Sequence, residues 1–224
     1  MPPKTSPWRL SVEGSDDKHS VLNLLKRHGF DWDAKDVVVP YVHDAGSVEQ
    51  VLEGIDAGVK SYERFGILVD ADTEPTRRWE QVRGRLRSAG IAAPDQADRA
   101  GLVIPGRSSK QRVGVWLMPD NRTAGILEDF LATLVPAGDL IWPHAESSTA
   151  QARTLEAPLA EKDTMKGVLH AWLAWREEPG LPFGTALTAK VLGHDSAEAL
   201  AFVTWFRRLF LDAQGPVMPA SAGA

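Results

Sequence analysis

The sequence contains no cysteine among its 224 residues. Disulfide scaffolds, thiolate zinc sites, iron–sulfur clusters and thiol nucleophiles are therefore excluded. The six histidines do not occur in HxxxH or HxH spacing, so a histidine-bound zinc site has no local support either. These absences exclude many of the commoner metal and redox functions.

Two further absences concern membranes and nucleotide binding. No apolar run approaches the length needed to cross a bilayer, and the first residues lack the apolar segment of a secretory signal. We therefore expect a cytoplasmic protein with no membrane partner. No Gly-Lys dipeptide occurs, so a Walker A loop is absent and any ATPase involved must be a separate chain.

The composition is that of an acidic globular protein. Lysine and arginine number 25 against 30 aspartates and glutamates, which gives a formal charge of −5. This balance argues against coating of nucleic acid by bulk charge, although a local basic patch stays compatible with it. The 43% hydrophobic and 25% charged residues are ordinary values for a globular protein, and 224 residues suffice for one domain or for one domain with a large appendage.

The first half of the chain alternates between predicted strands and helices. Strands separated by helices predict parallel pairing, with the carboxyl ends of the strands on one edge of the sheet. The expected fold is α/β and Rossmann-like, a mainly parallel sheet flanked by helices. The predicted strands are 9–13, 36–42, 65–70, 101–105 and 113–118, the last two in a possible hairpin, and the predicted helices begin at Asp16, Ser47 and Pro75 and end near Gly29, Tyr62 and Gly90.

From Gly125 onward the apolar spacing is helical only, including a predicted helix over 161–177. We expect an α/β core over residues 8–135 and a helical C-terminal extension over 136–211 packed on it. Residues 1–7 and 212–224 are expected to be flexible tails, because they are rich in proline, glycine and small residues.

Carboxylates follow two of the predicted strands. Glu13 ends the first predicted strand, in Glu-Gly-Ser-Asp-Asp, and Asp70 and Asp72 lie in Asp-Ala-Asp at the end of the third. Parallel strands would place these groups on one edge, where Mg²⁺ or Mn²⁺ is the matching cation because both prefer oxygen ligands. The alternative is that each motif is a solvated turn, since Asp and Gly are common after strands.

The ordered pair of motifs resembles the EGxxD and DxD motifs of the Toprim domain, over residues 8–135. Toprim domains occur in primases, topoisomerases, the maturase of 5S ribosomal RNA and the OLD (overcoming lysogenization defect) nucleases. The resemblance implies a Toprim-like fold and a catalytic role for Glu13. It also implies metal ligation by Glu13, Asp17, Asp70 and Asp72. Only two tyrosines, Tyr41 and Tyr62, are present and both lie in the α/β core, which argues against a topoisomerase.

The segment after the fifth strand is similar to the stand-alone OLD-like Toprim proteins. Gly125-Ile-Leu-Glu128 resembles the GxxE element of that branch, which makes Glu128 a candidate metal ligand. A first-turn glutamate favoured by the helix dipole is the alternative. The same resemblance implies a phosphate-facing catalytic lysine, for which we select Lys166 over Lys162, a surface lysine being the alternative. Asp120 is interpreted as part of a turn.

Substrate phosphates have candidate partners in a polar loop between the fourth and fifth strands. Arg107, Lys110 and Arg112 lie there, and a solvated loop is the alternative. Arginines also follow Pro75 along the third predicted helix.

These features together predict metal-dependent phosphodiester hydrolysis on DNA or RNA, with water activated at a carboxylate-bound Mg²⁺. Two alternatives stay open. One is an Asp-x-Asp phosphatase, although the DxD of such enzymes follows the first strand, where this chain has Glu13. The other is a non-catalytic Toprim-fold module that acts as a partner or sensor in an assembly with a separate ATPase.

Overall fold

The structure, a computed structural model, describes residues 6–34 and 38–211. Its strands are β1 (Trp8–Val12), β2 (Tyr41–Asp44), β3 (Arg64–Asp70), β4 (Leu102–Pro105) and β5 (Arg112–Met118). Its helices are α1 (Ser15–Arg27), α2 (Val48–Glu53), α3 (Ile55–Ser61), α4 (Pro75–Ser88), α5 (Leu127–Ala132), α6 (Trp142–Thr154), α7 (Thr164–Ala174), α8 (Phe183–Thr188) and α9 (Ala197–Phe210).

The strands form one sheet in the order β2-β1-β3-β5-β4. Pairing is parallel from β2 through β5, and β4 joins the edge antiparallel to β5. β3 therefore lies at the centre of the sheet, and its six leading residues are buried. The α/β fold with a mainly parallel sheet is confirmed and is consistent with a Rossmann-like architecture.

The two central strands divide their side chains between two apolar layers. Phe65, Ile67 and Val69 of β3 pack with helices α2, α3 and α4 on one face of the sheet. Leu68 and Trp116 point to the other face, where α1, α5, α7, α8 and α9 supply the core. This division follows from the two-residue period of a strand, which sends successive side chains to opposite faces.

Helix α9 lies close against the second face because two glycines leave room for it. A Cβ added at Gly66 would lie 3.1 Å from Leu209 Cδ2, and one at Gly114 would lie 2.6 Å from the same atom. Both glycines are on adjacent central strands in register with each other. The C-terminal helices thus share one apolar core with the sheet.

Several element boundaries differ from those expected. β2 begins at Tyr41, after Pro40, whereas a strand over 36–42 was expected; residues 36 and 37 lie outside the described part. The helix expected over 47–62 is two helices that meet at Gly54, whose low helix propensity favours a break. The helix expected over 161–177 is a 3₁₀ turn (Glu161–Asp163) followed by the shorter α7.

Within the described residues, no helix has the length and apolar character required to cross a membrane.

Candidate metal centre at the carboxyl edge of the sheet

Glu13 and Asp70 are joined across the ends of neighbouring strands. β1 and β3 run parallel, so both residues emerge at the same edge of the sheet. Glu13 follows β1 directly, and its Oε1 accepts a hydrogen bond of 2.7 Å from the backbone N–H of Asp70. The first pair of predicted ligands is therefore brought together by a direct contact.

Asp17 reaches the same edge from the first turn of α1. Its Oδ2 accepts a hydrogen bond of 3.1 Å from the backbone N–H of Gly14, so the side chain caps its own helix and points back toward β1. The residue is only 7% exposed. Burial of an acidic side chain at a helix N-terminus is unusual unless a partner or a proton neutralises it.

Asp72 is held through both its backbone and its side chain. Its φ of 54° lies in the left-handed region, and its N–H and C=O pair with Gly125 at 2.9 and 2.7 Å. Its Oδ2 accepts a bond of 2.6 Å from the guanidinium of Arg78 on α4. The connection after β5 and the helix after β3 together fix this carboxylate.

Glu128 is supplied by the first turn of α5. Its side chain is 5% exposed and forms an ion pair of 3.3 Å with Lys166 Nζ on α7, whose own side chain is 47% exposed. Proximity of Glu128 raises the pKa of the Lys166 ammonium, which keeps this lysine charged at neutral pH. The structure thus brings Lys166 to the candidate centre, whereas Lys162 lies on the preceding 3₁₀ turn with its residue exposed.

Asp70 is the electrostatic middle of this group. Burial, followed by the charges of Glu13, Asp17, Glu128 and Asp72, raises the pKa of Asp70 to about 9. Asp70 therefore lies close enough to the other four predicted metal ligands for their charges to raise its pKa. We call Glu13, Asp17, Asp70, Asp72 and Glu128 the acidic cluster.

Two other members of the acidic cluster share this behaviour. Burial, followed by the charge of Glu13, raises the pKa of Asp17 to about 7. Burial also raises the pKa of Glu13, against the opposing effects of the Asp70 N–H and the positive charge of Arg78. A cluster with these properties holds protons when no cation is present.

The donor chemistry of the acidic cluster fits a divalent cation. Asp17 Oδ1 and Asp70 Oδ1 are buried and have no hydrogen-bond partner in the described part of the chain. Oxygen-only ligands of this kind match Mg²⁺ or Mn²⁺. Among residues 6–34 and 38–211, no group of three acidic or histidine side chains is already arranged to hold a metal ion.

The basic loop predicted to bind substrate phosphates lies elsewhere. Arg112 pairs in register with Arg64 at the start of β3, whereas Asp70 ends that strand. At ~3.3 Å per residue, the length of β3 separates the two edges by about 20 Å. Arg107 and Lys110 line a surface depression beside the same starting edge. These three residues are not brought to the acidic cluster, because the loop precedes β5 instead of following it.

The side chain of Asp120, which follows β5, stabilises a turn. Its Oδ1 accepts hydrogen bonds from the backbone N–H groups of Arg122 and Thr123 and from the Thr123 hydroxyl. These are the contacts of a turn-forming aspartate, in agreement with its interpretation as part of a turn.

Arg78 is the residue of this region whose particular role the sequence did not indicate. Several arginines lie on α4, and nothing in their spacing distinguishes Arg78 from Arg77. The distinguishing feature is its position one turn into a helix that directly follows the Asp-Ala-Asp motif. A helical side chain there points back toward the N-terminus, and so toward the end of β3.

The fold and this edge together define a class, that of Rossmann-like α/β proteins with an acidic cluster at the carboxyl edge of a mainly parallel sheet. Residues 7–211 match the family described as protein of unknown function DUF3226, and the chain belongs to that family. Comparison with curated proteins and with solved structures gave no match.

Proposed function

We propose that the protein is a cation-dependent phosphodiesterase of the Toprim type, a nuclease that uses Mg²⁺ or Mn²⁺ to hydrolyse DNA or RNA. One observation carries the proposal. The Oδ1 of Asp70 is buried and has no partner within the described residues, and the charges of four other carboxylates act on Asp70. A divalent cation would neutralise this repulsion and provide the missing partner.

The acidic cluster itself would form the cation site. Asp17 and Asp70 each contribute a buried oxygen without a hydrogen bond, and Asp72 and Glu128 border them. Bound Mg²⁺ supplies positive charge to a phosphoryl oxygen and lowers the pKa of a bound water.

Glu13 is the candidate for proton handling. Its Oε1 is fixed by the Asp70 N–H, which leaves Oε2 to accept a proton from the attacking water. Burial raises the pKa of Glu13 toward neutrality, the direction that makes a carboxylate a more effective general base. Because Glu13 also belongs to the acidic cluster, a water activated by Glu13 would lie beside the bound cation.

Lys166 is the candidate for neutralising phosphate charge. It is half exposed while its partner Glu128 is buried, so its ammonium group lies at the solvent side of the acidic cluster. An incoming phosphate and Glu128 are both anionic and can share one ammonium, which has three donors. This arrangement supports substrate entry from the side that Lys166 occupies.

A non-catalytic module is the second candidate function. It is favoured by two ion pairs: Arg78 pairs with Asp72, and Lys166 pairs with Glu128. These two basic side chains already have anionic partners and need no substrate phosphate to neutralise them. The proposed partner of such a module is an ATPase. It would be a separate chain, because this chain contains no Gly-Lys dipeptide for a Walker A loop.

A nuclease assay distinguishes the two candidates. Wild-type protein is incubated with single-stranded DNA, double-stranded DNA and RNA in Mg²⁺, in Mn²⁺ and in chelator. We expect cation-dependent cleavage that falls by about 100-fold or more in Glu13→Gln and in Asp70→Asn, a loss typical of removing a catalytic acid–base group. Glu80→Gln, an exposed carboxylate on α4, is the matched control and should cleave as wild type does.

Two outcomes contradict the enzymatic proposal. Cleavage that persists in purified Glu13→Gln and Asp70→Asn would locate any activity outside the acidic cluster. Absence of cleavage with every substrate and both cations, also in the presence of candidate ATPases, would favour the non-catalytic module instead.

A further inference from the structure

Arg78 makes contacts that set it apart from the other arginines of α4. Its Nε donates 2.8 Å to the carbonyl oxygen of Asp70, and one terminal nitrogen donates 2.6 Å to Asp72 Oδ2. The other terminal nitrogen donates 3.0 Å to Gln81 Oε1. The side chain is 11% exposed. Neighbouring Arg77, by contrast, is 73% exposed and contacts only Glu74 among the described residues.

These contacts engage every nitrogen of the guanidinium group. All three nitrogens have an acceptor, and two of the three acceptors belong to the Asp-Ala-Asp motif. Three of the five N–H groups are used in this way, and the side chain is only 11% exposed, which leaves little of it open to a substrate phosphate. Its geometry instead connects the last residue of β3 with the carboxylate two positions later.

The backbone of Asp72 explains why such a connection is needed. A residue other than glycine in the left-handed region is held there by its surroundings. Here the two hydrogen bonds with Gly125 fix the peptide groups, and Arg78 fixes the side chain by one oxygen. The Asp72 side chain is 37% exposed, and its second oxygen accepts no hydrogen bond from the described residues, so it is open to a ligand.

We infer that Arg78 is the positioning residue of the cation site: it holds Asp72 by one oxygen and the Asp70 carbonyl, so that the second Asp72 oxygen is presented to the cation. The inference rests on the proposed function, since it presupposes that the acidic cluster binds a cation. It assigns Arg78 no contact with substrate. Outer partners of metal-binding carboxylates commonly act in this manner.

The shape of the guanidinium matters more than its charge in this role. A lysine at position 78 keeps the positive charge, but its single ammonium nitrogen cannot reproduce the planar fork that spans Asp70 and Asp72. A residue acting only as a counter-charge would give the opposite pattern. Lysine would then replace it, and a neutral residue would strengthen cation binding by removing a repulsive charge.

The test measures Mn²⁺ affinity by calorimetry on the full chain, with no substrate present. We expect Arg78→Lys and Arg78→Gln each to weaken Mn²⁺ binding by about 10-fold, the lower end of the loss typical of an outer-partner substitution. Asp72→Asn should weaken binding similarly. The double variant Asp72→Asn with Arg78→Lys should bind no more weakly than Asp72→Asn alone, because the arginine acts through this carboxylate. Arg77→Lys is the control and should bind as wild type does.

The outcomes separate failure of the inference from failure of the proposed function. If wild type binds Mn²⁺ and Asp72→Asn binds it weakly, but Arg78→Lys matches wild type, the inference alone is overturned. Additive losses in the double variant also overturn it. If wild type binds no Mn²⁺, the cation site and the inference are both wrong. Urea unfolding of each variant verifies folding, and loss of folding in both Arg78 variants would make the residue structural and contradict the inference.

Discussion

Replacement of Asp70 by asparagine should change how the stability of the cation-free protein depends on pH. The folded-state pKa of Asp70 is about 9, against an ordinary value of 3.8. Folded protein therefore retains a proton that the unfolded chain has already released. Because the pKa is raised, the stabilisation is complete below the unfolded value and is lost as pH rises toward 9.

The size of the effect follows from the linkage relation. Each pH unit between the two pKa values costs about 1.4 kcal/mol for one extra proton held by the folded state. From pH 6 to pH 8, the free energy of unfolding of wild type should thus fall by about 3 kcal/mol on account of Asp70. Asp17, with a pKa of about 7, should make the fall steeper below neutrality.

The asparagine side chain has no proton to lose. The free energy of unfolding of Asp70→Asn should therefore fall less steeply with pH than that of wild type, by the slope that one proton contributes. At pH 8 the variant should be more stable than wild type. The assay is urea unfolding followed by tryptophan fluorescence at pH 6, 7 and 8 in chelator; the chain has eight tryptophans. Asp56→Asn, an exposed carboxylate on α3, should follow the wild-type profile. Parallel profiles for wild type and Asp70→Asn would refute the reasoning, because they would mean that Asp70 ionises normally.

Three other predictions address the site and the core. Lys166→Ala should reduce cleavage by about 10-fold or more while Lys162→Ala leaves it unchanged, and equal rates in steady-state assays would make Lys166 a surface residue. Arg107→Ala should cleave a short oligonucleotide at the wild-type rate because the residue lies at the opposite edge of the sheet, and a large loss would contradict that placement. Gly114→Ala should destabilise by about 1–3 kcal/mol through overlap with a leucine of α9. Gly84→Ala, with open space around the added Cβ, should stabilise by about 0.5–1 kcal/mol. Urea unfolding measures both free energies, and a change of the same sign in Gly114→Ala and Gly84→Ala would contradict the packing described.

The sequence predicted the central strands well because their patterns are strong. β3 and β5 are continuous apolar runs, as strands buried on both faces are. The edge strand β2 begins at Tyr41, after Pro40, because proline has no N–H to donate to a neighbouring strand. Helices α6 and α8 were not predicted: α6 carries only two buried residues, and α8 is six residues long. Short or weakly amphipathic helices depend on tertiary packing that no local pattern reports.

The candidate site was predictable to the extent that strand order determines it. Parallel pairing alone places Glu13 and Asp70 on one edge, and the structure adds a direct hydrogen bond between them. Arg107 lies at the other edge because β4 pairs antiparallel with β5 and the loop between them therefore precedes β5. Contact of this loop with substrate phosphates stays a prediction. The contact of Arg78 with Asp72 is not predictable from the sequence, because it depends on the direction in which the first turn of α4 faces.

The central claim is that the acidic cluster binds a divalent cation, and diffraction from crystals grown with Mn²⁺ tests it most directly. Anomalous difference maps should show a peak within bonding distance of Asp70 Oδ1 and Asp17 Oδ1, and the peak should be absent from crystals of Asp70→Asn under the same conditions. Ordered crystals at millimolar Mn²⁺ with no peak at the acidic cluster, or with an unchanged peak in Asp70→Asn, would contradict the claim.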